Sequence, residues 1–310
     1  MKKIYAILDL PTPILCDGEV LGKTVNIKLG NFTGKIHFPV AKKREDNSDW
    51  YLQFKVKFDV LKKYSGWGDI TSYSETQIYI IRISKLLIEF DCDNCQDRKI
   101  TNQLYKDIDI WLENIINYFI ITTTYVINHT NHITCNYSQC VWLCDENKEY
   151  ISKDSQYSLI LGPTHQKSDC LSLNQFNKIS QISSQNKELL LEYSFYCSAL
   201  QLFWNGEYRK AIIEVSTALE ICVTKILEAE EKSYTKINWR NINKTPLTLG
   251  RKLNRLKDLS VKLPTYDYED KIVSKRNKAV HKGIIFDKEE AKVVIQEVKK
   301  YLDEFSPLDL

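Results

Sequence analysis

Apolar and polar residues alternate with period two in the first half of the chain and recur every three to four residues in the second half, so the chain reads as two differently built regions. Val25, Ile27 and Leu29 alternate with polar neighbours, Gly30-Asn31-Phe32-Thr33-Gly34 supplies turn chemistry, and Lys35 to Val40 follows, which together predict paired strands. The clearest strand is Trp50 to Val60. Trp50, Leu52, Phe54, Val56, Phe58 and Val60 would share one buried face, with Gln53, Lys55, Lys57 and Asp59 on the wet one. Residues 65–69, Ser-Gly-Trp-Gly-Asp, predict a loop, and the isoleucine-rich run Thr76 to Phe90 has room for one long strand or two short ones. The period then lengthens. Leu104, Ile108, Trp111, Ile115 and Phe119 predict an amphipathic helix over 102–120, whose threonine-rich continuation could turn to strand. Further short strands are expected at Gln139 to Leu143, Glu149 to Ser152 and Tyr157 to Leu161, with Gly162-Pro163 closing the region.

Residues 1–165 therefore predict a strand-rich domain with one central helix, with Trp67 and Tyr73 among aromatics that could line a binding surface. Residues 166–185 are polar and predict a linker or short helix, with His165 in a solvated loop beside it. From 186 to 310 helix periodicity dominates. Lys187 to Phe203 is apolar on nearly every face. Ala211, Val215, Ala218, Cys222 and Ile226 form a stripe on a helix ending near Glu230, and Leu249, Leu253, Leu256 and Leu259 form another that stops before Pro264. Tyr268 to His281 predicts a further helix, and Asp287 opens the last, with Ala291, Val294, Val298 and Leu302 inward. The fold class is α+β: a strand-rich domain followed by an all-α bundle of four or five helices.

Composition narrows the setting. The chain is 43% hydrophobic and 27% charged, ordinary for a soluble protein, and its net charge of +3 leaves any nucleic-acid reading to rest on local charge. Lys2 and Lys3 precede only Ile4 to Leu10 before Pro11 and Pro13, too little for a secretory leader, and the longest apolar run, Ile115 to Ile127, is too short to span a bilayer. A cytoplasmic protein with no membrane partner is expected. Nine cysteines, an odd number, then read as reduced thiols. Cys92 and Cys95 make a CxxC, and His129, His132, Cys135, Cys140 and Cys144 crowd a later region. The spacing is too irregular for a zinc site to be preferred over thiols that pack as small hydrophobes, so no metal and no cofactor is expected.

The one stretch that joins a group titrating near neutral pH to fixed cations is Lys271 to Gly283. Asn277 and His281 are four apart and share a helix face, while Arg276, five before His281, lies roughly 140° around an ideal helix, within reach of a long side chain. Gly283 ends the helix. Between Arg251 and Lys282 there are ten Lys or Arg against four Asp or Glu, a local net of +6. Such a run suits either a solvated helix end that complements the helix dipole or a groove for phosphates with Lys275, Lys278 and Lys282 as positioning contacts.

Arg276-Asn277-Lys278-Ala279-Val280-His281 resembles the Arg-x4–6-His signature of HEPN domains. Asn205 to Glu220 resembles the first long helix of that family and Asp287 to Leu302 its last, so the resemblance spans about residues 186–306 and leaves the first half unassigned. It implies an all-α bundle, usually a homodimer, and in many members a metal-independent ribonuclease of toxin–antitoxin, abortive-infection or other antiviral defence systems. On that resemblance Arg276 would bind the phosphate, His281 would act as general acid/base, Asn277 would orient the histidine or a phosphate oxygen, and Glu220 would be an accessory residue, although a helical glutamate is more often an ion-pair partner. Some members bind RNA or nucleotides without cutting, so a non-catalytic module is the alternative. A further alternative is an interaction or sensor protein, in which the first domain recognises a phage-derived or host trigger or an antitoxin and controls the bundle.

Overall fold

The computed structural model describes residues 2–43, 50–54, 67–74, 77–94, 97–123, 141–145, 150–153, 170–185, 189–233 and 247–308. The chain divides into two compact units, Met1–Glu188 and Leu189–Asp309, in an α+β layout with the strands in the first.

The sheet of the first unit is entirely antiparallel among the described strands. Its order is β2 (Thr24–Leu29), β3 (Phe32–His37), β7 (Ile78–Cys92), β1 (Lys2–Asp17), β8 (Val141–Asp145), β9 (Tyr150–Lys153), and β6 (Gly68–Tyr73) also pairs with β7. A separate ribbon joins β4 (Val40–Lys43) to β5 (Trp50–Gln53). Val25, Ile27 and Leu29 are buried as their alternation predicts. A two-residue turn leads into β3, with Leu29 facing Phe32 and Gly30 at φ +53° supplying the left-handed conformation that such a turn requires. The isoleucine-rich run forms one long strand over Ile78–Cys92, and its centre is buried on both faces: Leu86, Leu87 and Ile88 are all fully buried.

The central strand β1 is the element that the sequence pattern hides. It pairs with β7 in two stretches, Lys2 to Asp9 and Ile14 to Asp17, and the register breaks between them. Pro11 and Pro13 lie in that break. Proline has no N–H to donate to a ladder, and an irregularity in the register removes the demand for one.

The helix predicted over 102–120 extends to α1 (Arg98–Thr123), with Leu104, Ile108, Trp111, Ile115 and Phe119 buried. Its terminal threonines are accommodated in the helix with their hydroxyls bonded back four residues: Thr122 Oγ1 donates to the Tyr118 carbonyl at 2.8 Å and Thr123 Oγ1 to the Phe119 carbonyl at 2.7 Å. The segment read as a linker or short helix carries α2 (Leu173–Ser183), started by a capping box between Ser172 and Gln175 and integral to the first unit. Phe176 packs between Phe38 and Phe119 with ring centroids 4.8 and 5.5 Å away, and the Trp111 indole donates to the Ser180 carbonyl at 3.3 Å. The first unit thus runs through residue 188 and includes α2. Trp67 is not an exposed aromatic. It is 7% exposed and packs edge-on against Phe54 at 4.5 Å, whereas Tyr73 is 50% exposed. The second half of the strand expected over 50–60, the strand at 157–161, Gly162, Pro163 and His165 lie outside the described residues, as do Cys95, His129, His132, Cys135 and Cys140. Among the described residues no group of ligands could hold a metal ion.

The second unit is helical: α3 (Leu191–Trp204), α4 (Tyr208–Ser233), α5 (Leu249–Asp258), α6 (Ser274–His281) and α7 (Lys288–Phe305), with a π-helical turn over Glu269–Val273 leading into α6. Ala211, Val215, Ala218 and Cys222 of α4 are buried, as are Ala291, Val294, Val298 and Leu302 of α7. Asp287 caps α7 through a capping box with Glu290. An ion pair with one buried partner lies in this unit. The Glu192 carboxylate of α3, with no exposed surface, accepts from Lys225 of α4 at 2.6 Å and from Ser306 at 2.7 Å. Burial pushes the Glu192 carboxyl up, but these hydrogen bonds and the Lys225 charge outweigh it and hold the group below the usual carboxylate range. No helix among the described residues is long and apolar enough to cross a membrane.

Candidate nucleic-acid interface

The motif stands on a helix that is short and held from outside. Of the eight residues of α6, only Ala279 is buried, so burial of its own side chains fixes little. Three other features hold it. Upstream, Ile272 and Val273 of the π-turn are buried, and Gly250 of α5 comes so close that a Cβ there would stand 3.2 Å from Val273 Cγ1. Tyr268 adds a hydrogen bond from its hydroxyl to Asn254 Oδ1 at 2.7 Å. At the far end, Lys282 is the C-cap and Gly283 follows at φ +59°, the left-handed conformation that ends a helix without strain. From the side, Arg209 of α4 donates through Nε to the Ala279 carbonyl at 2.8 Å, satisfying one of the carbonyls that a helix end leaves free.

His281 is exposed on the last turn of α6, and its imidazole makes no hydrogen bond among the described residues. Asn277, one turn back, is also exposed. Arg276 is half-buried and donates to Asn277 Oδ1 at 3.2 Å, so the guanidinium and the amide form one polar group next to the histidine's face. The three lysines differ. Lys278 and Lys282 are exposed and make no ion pair among the described residues. Lys275 has a side chain only 22% exposed and lies 3.7 Å from Glu290 of α7, which engages part of its charge.

The surplus of +6 is likewise reduced in three dimensions. Lys252 pairs with Glu220, and Lys271 lies 3.5 Å from Glu297 and 3.9 Å from Asp267. Glu220 and Glu297 sit outside the stretch over which the surplus is counted, so charge that looks unbalanced along the chain is balanced across helices. Glu220 itself accepts from Lys252 Nζ at 2.9 Å, and the same ammonium reaches Thr224 Oγ1 at 3.0 Å. It is remote from His281. Arg209 marks where α4 passes the end of α6, and Glu220 lies about 16 Å further along the axis at 1.5 Å per residue, beside α5.

Arg209 is the residue that sequence reasoning passed over. It falls within the stretch read as a family helix, but its partner is a backbone carbonyl far along the chain, and no residue type or spacing encodes such a contact. Glu290 and Lys252 were hidden for a similar reason, since each becomes relevant only through a neighbouring helix.

The apolar surroundings of the motif are also exposed. Val280 is 36% exposed, Ile284 39% and Ile285 92%, a short hydrophobic rim either side of His281. Comparison of the chain with protein-family models, with curated proteins and with solved structures gives no match in any of the three.

Proposed function

We propose that the second unit is a HEPN-type endoribonuclease module, serving in a prokaryotic defence system of the abortive-infection or toxin class and cutting RNA without a metal. The observation that carries the reading is the exposed end of α6. A histidine, an Arg276–Asn277 pair one turn back and two lysines that make no ion pair among the described residues lie within seven residues on the last two turns of α6 and its C-cap.

RNA brings its own nucleophile. The 2′-hydroxyl attacks phosphorus, a new 2′-O–P bond forms, and the P–O bond to the 5′-oxygen of the next nucleotide breaks. One group takes the 2′-hydroxyl proton and another protonates the leaving oxygen. His281 is the acid/base in this reading, Arg276 stabilises the charge on the phosphorane, and Asn277 fixes the guanidinium or a phosphate oxygen. Lys278 and Lys282 hold neighbouring phosphates. One histidine in the second unit fits two proton transfers if two chains meet about a two-fold axis, and the apolar rim of Val280, Ile284 and Ile285 is a suitable seam for a homodimer.

A second reading has its own support. His281 has no orienting hydrogen bond among the described residues, as would suit a module that binds RNA without cutting it. Incubating wild type and His281→Ala with total RNA in EDTA separates the two. Nuclease action predicts 2′,3′-cyclic phosphate ends from wild type and a rate about 10² to 10⁴ lower in the variant, with an unchanged melting temperature. Equal cleavage by both proteins, or cleavage that needs Mg²⁺, would remove the mechanism; binding without cleavage would favour the second reading.

A further inference from the structure

The exposed face of the first unit's sheet carries a polar groove that the nuclease reading does not use. Alternation places Asn26 and Lys28 of β2, Thr33 and Lys35 of β3, Glu89 and Asp91 of β7 and Lys3 of β1 on one side. Register sets them against one another: Asn26 faces Lys35, Lys28 faces Thr33, Lys35 faces Glu89, and Lys3 faces Asp91. Gln181, Ser184 and Gln185, from the end of α2 and just beyond it, close one side, and the volume of this open groove is about 650 Å³. That is the size of a site for a small organic molecule.

The charges in the groove are unequal in their commitments. Lys3 pairs with Glu89 and stands opposite Asp91, and His37 Nε2 lies 3.3 Å from the other Glu89 oxygen. Burial holds the His37 imidazole below its ordinary value despite the Glu89 charge, so at neutral pH it adds no cation. Lys28 and Lys35 are exposed and make no ion pair among the described residues. The groove thus has, on β2 and β3, two ammonium groups without an ion pair among the described residues, flanked by the amides of Asn26 and Gln181 and by the carboxylates of β7. Among its described lining residues there is no aromatic side chain on which a base could stack.

We propose that this groove binds a phosphorylated sugar, with Lys28 and Lys35 taking the phosphate and Asp91, Asn26 and Gln181 taking the neighbouring hydroxyls. Ammonium groups suit a phosphate as point charges, and a carboxylate accepts from sugar hydroxyls with charge-assisted hydrogen bonds. The same chemistry is offered by a free sugar phosphate and by the phosphoribosyl part of a nucleotide.

Isothermal titration of the full chain carrying His281→Ala, which leaves the groove intact and removes the proposed nuclease group, tests this independently of RNA cleavage. Ribose 5-phosphate, the four nucleoside 5′-monophosphates, ribose and inorganic phosphate are the probes. One saturable site per chain is expected for the phosphorylated sugars, with ribose and phosphate alone weaker. Lys28→Ala and Lys35→Ala should each weaken binding about tenfold without changing the melting temperature, while Lys278→Ala should leave it unchanged. Equal affinity for ribose 5-phosphate and the nucleotides identifies the free sugar phosphate as sufficient; tighter nucleotide binding shows that the base adds contacts outside the groove. The proposal is overturned if no probe binds at millimolar concentration, if the double variant Lys28→Ala/Lys35→Ala binds as wild type does, or if inorganic phosphate binds as tightly as the sugar phosphates.

Discussion

Helices α4 and α6 touch each other within one unit and are held in place in opposite ways. Helix α4 is fixed by its own side chains: Ala211, Ile212, Val215, Ala218, Leu219 and Val223 are fully buried along its length. Helix α6 buries Ala279 alone and takes its position from a π-turn before it, a glycine after it and the guanidinium of Arg209 beside it. The difference shows how a chemically useful helix can be left open to solvent. When burial is supplied by a neighbour, almost every position of the exposed helix is free to carry a polar or charged group.

Substitutions that weaken each kind of support should separate stability from activity. Leu219→Ala removes a fully buried side chain from α4 and should destabilise the second unit by about 2 to 5 kcal/mol, with RNA cleavage below the new melting temperature unchanged. Calorimetry checks this, and a melting temperature equal to that of wild type would mean that α4 is not the anchor. Acid should act next. Glu297 of α7 is buried, which alone would raise its carboxyl, but hydrogen bonds from Thr265 and Lys300 and the charges of Lys300 and Lys271 hold it below the ordinary value of 4.5. Glu192 is depressed in the same sense. A depressed carboxyl gives stability that is present in full above its unfolded value and disappears as pH falls through the folded one. Urea midpoints should therefore hold at neutral pH and fall below about pH 4.5; a flat profile to pH 3 would contradict the pairing. The smallest effect on stability is expected from Arg209→Ala, about 1 kcal/mol for one partly exposed hydrogen bond. Its effect on cleavage should be larger, about tenfold, because the end of α6 that carries His281 loses its brace. Equal small losses in both measurements would make Arg209 an ordinary surface contact.

The sequence exposed whatever depends on repetition. Period two marked β2, and the three-to-four spacing marked α1, α4 and α7, because each buries one face over many residues, while β7, buried on both faces at its centre, was marked by its run of isoleucines. It concealed β1, since Pro11 and Pro13 argue against a strand unless the register is known to break there. It concealed the role of α2, whose polar composition masks Phe176 and Ile179 on the single face that packs. Trp67, beside two glycines, read as part of a binding surface because its partner Phe54, just past the end of β5, lies thirteen residues earlier in the chain. In the candidate site, Arg276, Asn277 and His281 could be read from spacing within one helix. Arg209, and the engagement of Lys275 by Glu290 and of Glu220 by Lys252, could not, since each depends on the packing of helices against one another.

The π-turn at Glu269–Val273 also bears on ancestry. A turn closed from residue 274 back to residue 269 contains one residue more than an α-helical turn, so the chain stores a spare residue immediately upstream of the motif. An insertion or deletion there can be absorbed by exchanging one kind of turn for the other, leaving the five-residue interval from Arg276 to His281 untouched. In an alignment of related chains this is where a gap belongs, and a pattern of fixed spacing drawn across it would lose register by one position.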